Sequence, residues 1–288
     1  MKLGIHVVDF EERGMPIRAT LKDIAQYADA NGVASLSVMD HFFQIGLVGP
    51  AEMNMLESVA TLGYLAAVTE KVHLLTMVTG VVYRYPGILA KSMTTLDVLS
   101  GGRMYLGIGA AWNEREALGL GTPFPPLGER FEMLEETLQI ILQMWSGEVK
   151  PYQGKHYQLA ETLNAPQPIT KPHPPILIGG SGEKKTLRLV AQYGDACNLF
   201  LNDGVDVLRR KLDILKQHCD DIGRDFNEIE LTFTGAIEPG ESVKSIISKC
   251  HDASKLGFQH AMFVVPDLHE IRPLERLAKE VIPAIAEF

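Results

Sequence analysis

An aspartate and a histidine stand side by side at Asp40-His41, directly after the apolar run Ser35–Met39. An imidazole exchanges protons near neutral pH, and an adjacent carboxylate can orient or bias it. The pair reads either as acid–base machinery or as a rim pair that only closes hydrogen bonds. A second feature is Gly179-Gly180-Ser181-Gly182, followed by Glu183-Lys184. Glycines that free backbone N–H groups ahead of a helix, with a hydroxyl and a lysine close by, suit a phosphate. A plain tight turn is the alternative. A third stretch runs from Gly80 into Tyr83-Arg84-Tyr85, where aromatic rings would wall a planar ligand and Arg84 would meet an anion. It reads equally well as a strand entering a solvated loop. The fourth is Leu106-Gly-Ile-Gly-Ala-Ala-Trp112-Asn113. Its small residues let backbone approach a ligand, and Trp112 can pack on a flat face. The third glycine of a dinucleotide fingerprint is missing there.

Other chemistries lack their residues. The first strand ends His6-Val-Val-Asp9 with no second histidine nearby, so no metal site is expected. The strand ends offer Asn198, Thr234 and Val265, not the desolvated lysine of a Schiff-base enzyme. Asp40 and Glu114 have no spacing that marks them as a glycosidase pair. Lys plus Arg is 27 and Asp plus Glu is 36, a net charge of −9 that argues against nucleic acid and anionic membranes as partners. Cys197, Cys219 and Cys250 are far apart and odd in number, which points to reduced thiols in a cytoplasmic protein. Neither a membrane span nor an export leader is expected.

These residues need a frame that gathers them. Short apolar runs occur at Leu3–Val8, Ser35–Met39, His73–Thr79, Met104–Gly109, Ile176–Gly179, Ala196–Phe200, Glu230–Thr234 and His260–Val264, each followed by helix-like sequence. Alternation of this kind predicts an α/β fold, a (β/α)8 TIM barrel, whose chemistry gathers at the carboxyl ends of the strands. A chain of 288 residues with 46% hydrophobic residues suits one such domain over residues 1–288. Thr20 to Asp23 reads as a capping box ahead of the face Leu21, Ile24, Ala25 and Ala28. Pro86 opens a helix that Gly101-Gly102 stops, and the helix around Leu134 and Leu138 has an acidic start. Asp203, Ser242 and the neighbourhood of Glu270 open three further helices. From about 147 to 175 the rhythm fails amid five prolines, predicting an insertion before the fifth strand with short strands of its own.

Taken together the segments resemble the luciferase-like superfamily of flavin and deazaflavin oxidoreductases, over nearly the whole chain. They are Met39-Asp-His-Phe42, Val78-Thr-Gly with Tyr83-Arg, Leu96-Asp-Val-Leu-Ser-Gly-Gly-Arg103, Leu106 to Glu116, Gly128-Glu-Arg-Phe131 and Pro175 to Gly182. Asp-His-Phe and Ala196-Cys-Asn-Leu-Phe200 resemble most the branch that uses coenzyme F420. The resemblance implies hydride transfer between coenzyme F420 and a small organic substrate at the barrel mouth. His41 would stand beside the reactive ring carbon, with Asp40 its partner. Val78 and Thr79 would form a bulge with a non-proline cis peptide that presses on the ring. Tyr83, Trp112 and Asn113 would border the ring or its tail. Gly179, Gly180, Ser181, Gly182 and Lys184 would hold the phosphate. The alternatives are an FMN-dependent monooxygenase and a barrel that binds the cofactor without turnover. Relatives pair as homodimers, and Leu56–Ala67 is either that surface or a barrel-facing helix. Relatives that oxidise a sugar phosphate carry basic residues near the sixth strand. Asn198 to Asp203 has none, which disfavours that substrate. Where relatives often place glycine before the tryptophan, this chain has Ala111.

Overall fold

Alternation within the strands sorts side chains to two sides of a closed sheet. In β1 (Lys2–Val7), Leu3, Ile5 and Val7 are buried in the main apolar core, while Gly4 and His6 face the barrel interior. The computed structural model describes residues 1–288. The other strands are β2 (Ser35–Val38), β3 (His73–Thr76), β4 (Met104–Gly109), β5 (Ile176–Gly179), β6 (Ala196–Phe200), β7 (Glu230–Ala236) and β8 (His260–Val264). All pair in parallel with their sequence neighbours, and β1 pairs with β8, Lys2 opposite His260, to close the ring. The eight-stranded parallel barrel matches the expectation.

Helices lie between the strands: α1 (Ile17–Ala30), α2 (Ser58–Val68), α3 (Pro86–Ser100), the short α4 (Glu114–Gly119), α5 (Leu127–Ser146), α6 (Thr186–Tyr193), α7 (Val205–Ile222) and α8 (Val243–Ser254). Leu21, Ile24, Ala25 and Ala28 are the buried face of α1, as their spacing predicts. The capping box is not formed. Pro16 occupies the N-cap and Thr20 sits inside the helix, because the chain turns helical a full turn earlier. Pro86 does open α3, and Gly101 at φ 72° closes it in the left-handed conformation that glycine adopts freely. Ser242 caps α8 by accepting from the Ser245 amide. Asp203 lies instead in a single turn before α7 and pairs with Lys211. The chain ends in a helical segment that begins at Arg272. Between α5 and β5 the chain makes an antiparallel pair of its own, Tyr152 opposite Leu159.

The Ser100-Gly-Gly-Arg103 motif has a clear task. The buried Arg103 guanidinium donates to the carbonyls of Ser100, Ala66, Thr69 and Val72 and to the Thr69 hydroxyl. It satisfies carbonyls left open at the ends of α2 and α3 and fixes both helices to the base of β3. Inside the ring, apolar contact centres on a small patch of Leu75, Leu177, Ala196 and Met262, with Met77, Val78 and Tyr105 packed against it. Polar pairs fill much of the rest, including His6 with Ser37 at 2.8 Å, Ser35 with His260 at 3.0 Å and Asn198 with Thr232 at 2.9 Å.

Candidate active site

The third strand stops at Thr76, three residues short of the expected end, and the reason is local. A cis peptide joins Met77 to Val78, one bond earlier than the resemblance places it. The chain then rejoins the sheet at Thr79–Gly80, which pairs with Ile108 and Gly109. Space for this bulge comes from glycine. A Cβ on Gly179 would lie 2.7 Å from a Val78 methyl, one on Gly109 3.0 Å from the other, and one on Gly107 1.8 Å from the Thr76 carbonyl oxygen. The Gly-Ile-Gly run of β4 therefore serves the bulge, which lifts Val78 to the mouth. Thr79 does not join Val78 there. It is buried and donates to the Thr76 hydroxyl at 2.9 Å.

Asp40 and His41 part company at the end of β2. Asp40 is sealed in and accepts a fork from Arg84 at 2.7 and 2.9 Å, the Ser58 hydroxyl at 2.6 Å and the Gly80 amide at 3.1 Å. It is a structural anchor and not the partner of His41. Arg84 also pairs with Glu57, so the guanidinium expected to meet an anion is held by two carboxylates. Burial opposes the charge on Arg84, and Asp40 and Glu57 outweigh it, raising the pKa.

The carboxylate that meets His41 is Glu116, on α4. His41 Nδ1 lies 2.5 Å from Glu116 Oε1. The Tyr83 hydroxyl donates to the same oxygen at 2.5 Å, and the amides of Phe42 and Phe43 donate to the other at 2.9 and 3.2 Å. Burial pushes the Glu116 carboxyl up, but the bonds from His41, Tyr83 and Phe42 prevail and hold it below the usual carboxylate range. Burial, with the bond to Glu116, pushes the Tyr83 phenol well above its ordinary value. An ionised acceptor on Nδ1 fixes the proton there and leaves Nε2 as the free end of His41. The ring stands edge-on to the exposed Trp112, with centroids 5.2 Å apart. In the sequence this carboxylate only closes the Leu106 to Glu116 segment, with nothing there to mark it as the partner of His41.

Trp112 and Asn113 are held by a second device. Ala111 has a φ of 58°, which explains why glycine is common at this place. The Arg130 guanidinium donates to the Ala110 carbonyl at 2.9 Å and to that of Ala111, and stacks over Phe124 at 4.0 Å. The Gly-Glu-Arg-Phe motif thus clamps the loop that presents the tryptophan. Asn113 precedes α4 without capping it through its side chain.

After β5, Gly180 has a φ of 116°, and Gly182 leaves room for the Thr186 side chain 3.0 Å from where its Cβ would be. The helix begins at Thr186, not at Glu183, because residues 183 to 185 form a turn. The backbone amides of Ser181, Gly182 and Glu183 donate to nothing in the protein. Lys184 is exposed beside them.

A family model described as luciferase-like monooxygenase matches residues 5–270, and the chain belongs to that family. Among curated relatives, an F420-dependent glucose-6-phosphate dehydrogenase of Nakamurella multipartita is 32% identical over 214 residues, covering 68% of this chain and 60% of that one. The chain spans about half to three fifths of the length of the curated relatives it matches. Among solved structures, an F420-dependent secondary alcohol dehydrogenase in complex with an F420-acetone adduct superposes with a TM-score of 0.82 at 17% identity, covering 99% of this chain and 98% of that one. The F420-dependent tetrahydromethanopterin reductase of Methanopyrus kandleri gives 0.80 at 16% identity, covering 99% of both chains. The two structures attest the fold.

Proposed function

We propose that this protein is an oxidoreductase that passes a hydride between coenzyme F420 and a small organic substrate at the carboxyl end of the barrel. The observation that carries the reading is His41, held through Nδ1 by an ionised Glu116, with Nε2 free and the ring edge-on to Trp112. The names of several relatives support the choice of cofactor.

The residues present fit such a group. The unpartnered amides of Ser181, Gly182 and Glu183, with Lys184 nearby, suit the phosphate of its tail. Val78, Trp112 and Asn113 border the space for a flat ring. When bound, the cofactor supplies hydride chemistry, and the protein supplies position and electrostatics. Glu116 keeps the His41 proton on Nδ1, so Nε2 is the atom that takes up or supplies a proton at the reacting centre. Tyr83 shares the same carboxylate oxygen and stiffens the arrangement.

The test is a titration of the purified protein with F420 and with FMN, read from ring absorbance, followed by turnover assays with reduced and oxidised cofactor. Binding of F420 with turnover supports the reading. Preference for FMN with oxygen-dependent turnover replaces it with the monooxygenase, and tight binding without turnover replaces it with a carrier. Ser181→Asp weakens F420 binding by about tenfold or more, because a carboxylate faces the phosphate. That variant is the cleaner test, since Gly180 has a backbone angle that any side chain strains. His41→Ala leaves binding within a few fold and lowers turnover by about 10² or more. We also propose a homodimer that forms through the outer face of α2 and α3, where Ala60, Ala67, Ile88 and Leu99 are exposed.

A further inference from the structure

A second imidazole lies at the barrel mouth. His6 ends the inward face of β1, buried to 6% exposure, and pairs through Nδ1 with Ser37 Oγ at 2.8 Å. The Ser37 hydroxyl donates to the Ile5 carbonyl at 3.4 Å, so its oxygen accepts from His6 and the proton of the neutral ring belongs on Nδ1. Nε2 is then a bare acceptor. It has no partner in the protein, yet it is not among the sealed polar atoms that lack one, which are Thr137 Oγ1, Asn164 Oδ1 and Gln167 Oε1. Some of its surface therefore meets open space.

His6 borders a cavity of about 230 Å³ between the ends of β1 and β8, lined also by Val8, Leu47, Val48 and Val264. This volume is separate from the Gly179–Gly182 loop across the ring and adjoins the strand next to His41. Aliphatic side chains and the polar Asp9, Glu11, Arg13, Asp267 and His269 share that lining, and Nε2 adds a neutral acceptor on the β1 side: a small molecule with no donor leaves it unpaired, and one with a donor satisfies it. Burial lowers the His6 pKa to about 4, opposed by the Ser37 backbone and helped by the neighbouring His41, so the ring stays neutral and keeps its acceptor at physiological pH. The partly exposed ion pair of Asp9 and Arg13, 2.5 Å apart, also lines this cavity.

We propose that His6 contacts the substrate and sets specificity, with Nε2 accepting a hydrogen bond from a hydroxyl or N–H group. The reduced member of the substrate and product pair, an alcohol or an amine, carries that donor. The inference rests on the reading that the barrel mouth receives the substrate.

Phenol and anisole, which differ by one donor, are the probes, and their binding needs no cofactor. They are titrated into the purified protein and its His6→Phe variant by calorimetry. The Nε2 resonance of labelled wild-type protein is followed by long-range proton–nitrogen correlation. Wild-type protein is expected to bind phenol about fivefold more tightly than anisole. That preference vanishes in His6→Phe, and phenol alone shifts the Nε2 signal. Equal binding of the two probes, a preference that survives in His6→Phe, or an Nε2 signal unmoved by phenol overturns the proposal. The nitrogen measurement decides the matter if His6→Phe does not fold. A protein that binds phenol through His6 but takes up no F420 would refute the cofactor reading while leaving the role of His6 standing.

Discussion

Glu116 shows how much depends on one buried carboxylate. Its two oxygens receive four donors, from His41, Tyr83, Phe42 and Phe43, and its charge selects the tautomer of His41. Glu116→Gln keeps the size and removes the charge. Its amide nitrogen then faces donors where an acceptor stood. Turnover is expected to fall by about 10- to 100-fold, with F420 affinity within a few fold, as steady-state rates and a fluorescence titration would show. Unchanged turnover would mean that Glu116 serves folding alone. His6 makes a prediction about acid. Its folded pKa of about 4 lies below the ordinary histidine value of 6.5, so the unfolded chain binds the proton first as pH falls. Stability from this residue is therefore complete above about pH 6.5 and is lost on descent toward pH 4. Between pH 7 and pH 5 the loss is about 2 kcal/mol. Denaturant midpoints at the two pH values should differ less in His6→Phe than in wild type.

At the scale of elements, several residues that look chemical prove architectural. Arg103 joins the ends of α2 and α3, and Arg130 clamps the loop before α4. Asp97, fully buried on α3, accepts from the Ile169 and Thr170 amides at 2.8 and 3.0 Å and ties the stretch before β5 to the barrel. Arg103→Ala leaves at least three carbonyls without a donor beside a cavity, a loss of about 2–4 kcal/mol. The melting temperature should fall by several degrees with F420 binding retained at low temperature. A melting curve that matches wild type would refute the role assigned to Arg103. Arg103→Lys should recover little of the loss, because an ammonium lacks the planar fork that reaches two helix ends.

At the scale of the molecule, the division of apolar and polar groups explains how the barrel remains stable while its mouth is chemical. The main core lies between sheet and helices, where Ile5, Leu36, Leu74, Leu106, Ile176 and Leu199 meet the helix faces. The strands' inner faces can then carry His6, Ser37, Asn198 and Thr232 in hydrogen-bonded pairs. No helix is long and apolar enough to cross a membrane. The outward face of α2 is apolar and small, with Val59 and Gly63 half-buried and Ala60 and Ala67 exposed. Sedimentation equilibrium is expected to return twice the 31.8 kDa chain mass, and Ala60→Arg to return the single mass. A wild-type protein that sediments as one chain at micromolar concentration would exclude the dimer.

The sequence alone determined the barrel. Strand and helix periods are local properties, and a run such as Met104–Gly109 or Ile176–Gly179 carries its own boundaries in its apolar residues and glycines. It also marked His41 and the glycine loop after Ile178. What it did not reveal was which carboxylate serves which base. Asp40 adjoins His41 in the chain, but successive residues leave a strand in opposite directions. The Arg84 fork, reached from beyond β3, takes Asp40 away. Glu116 arrives from 75 residues farther on, brought to His41 by the pairing of β2 and β4 with β3. Adjacency along a chain is covalent and readable, whereas the pairing of charges follows distances that exist only after the strands have paired side by side.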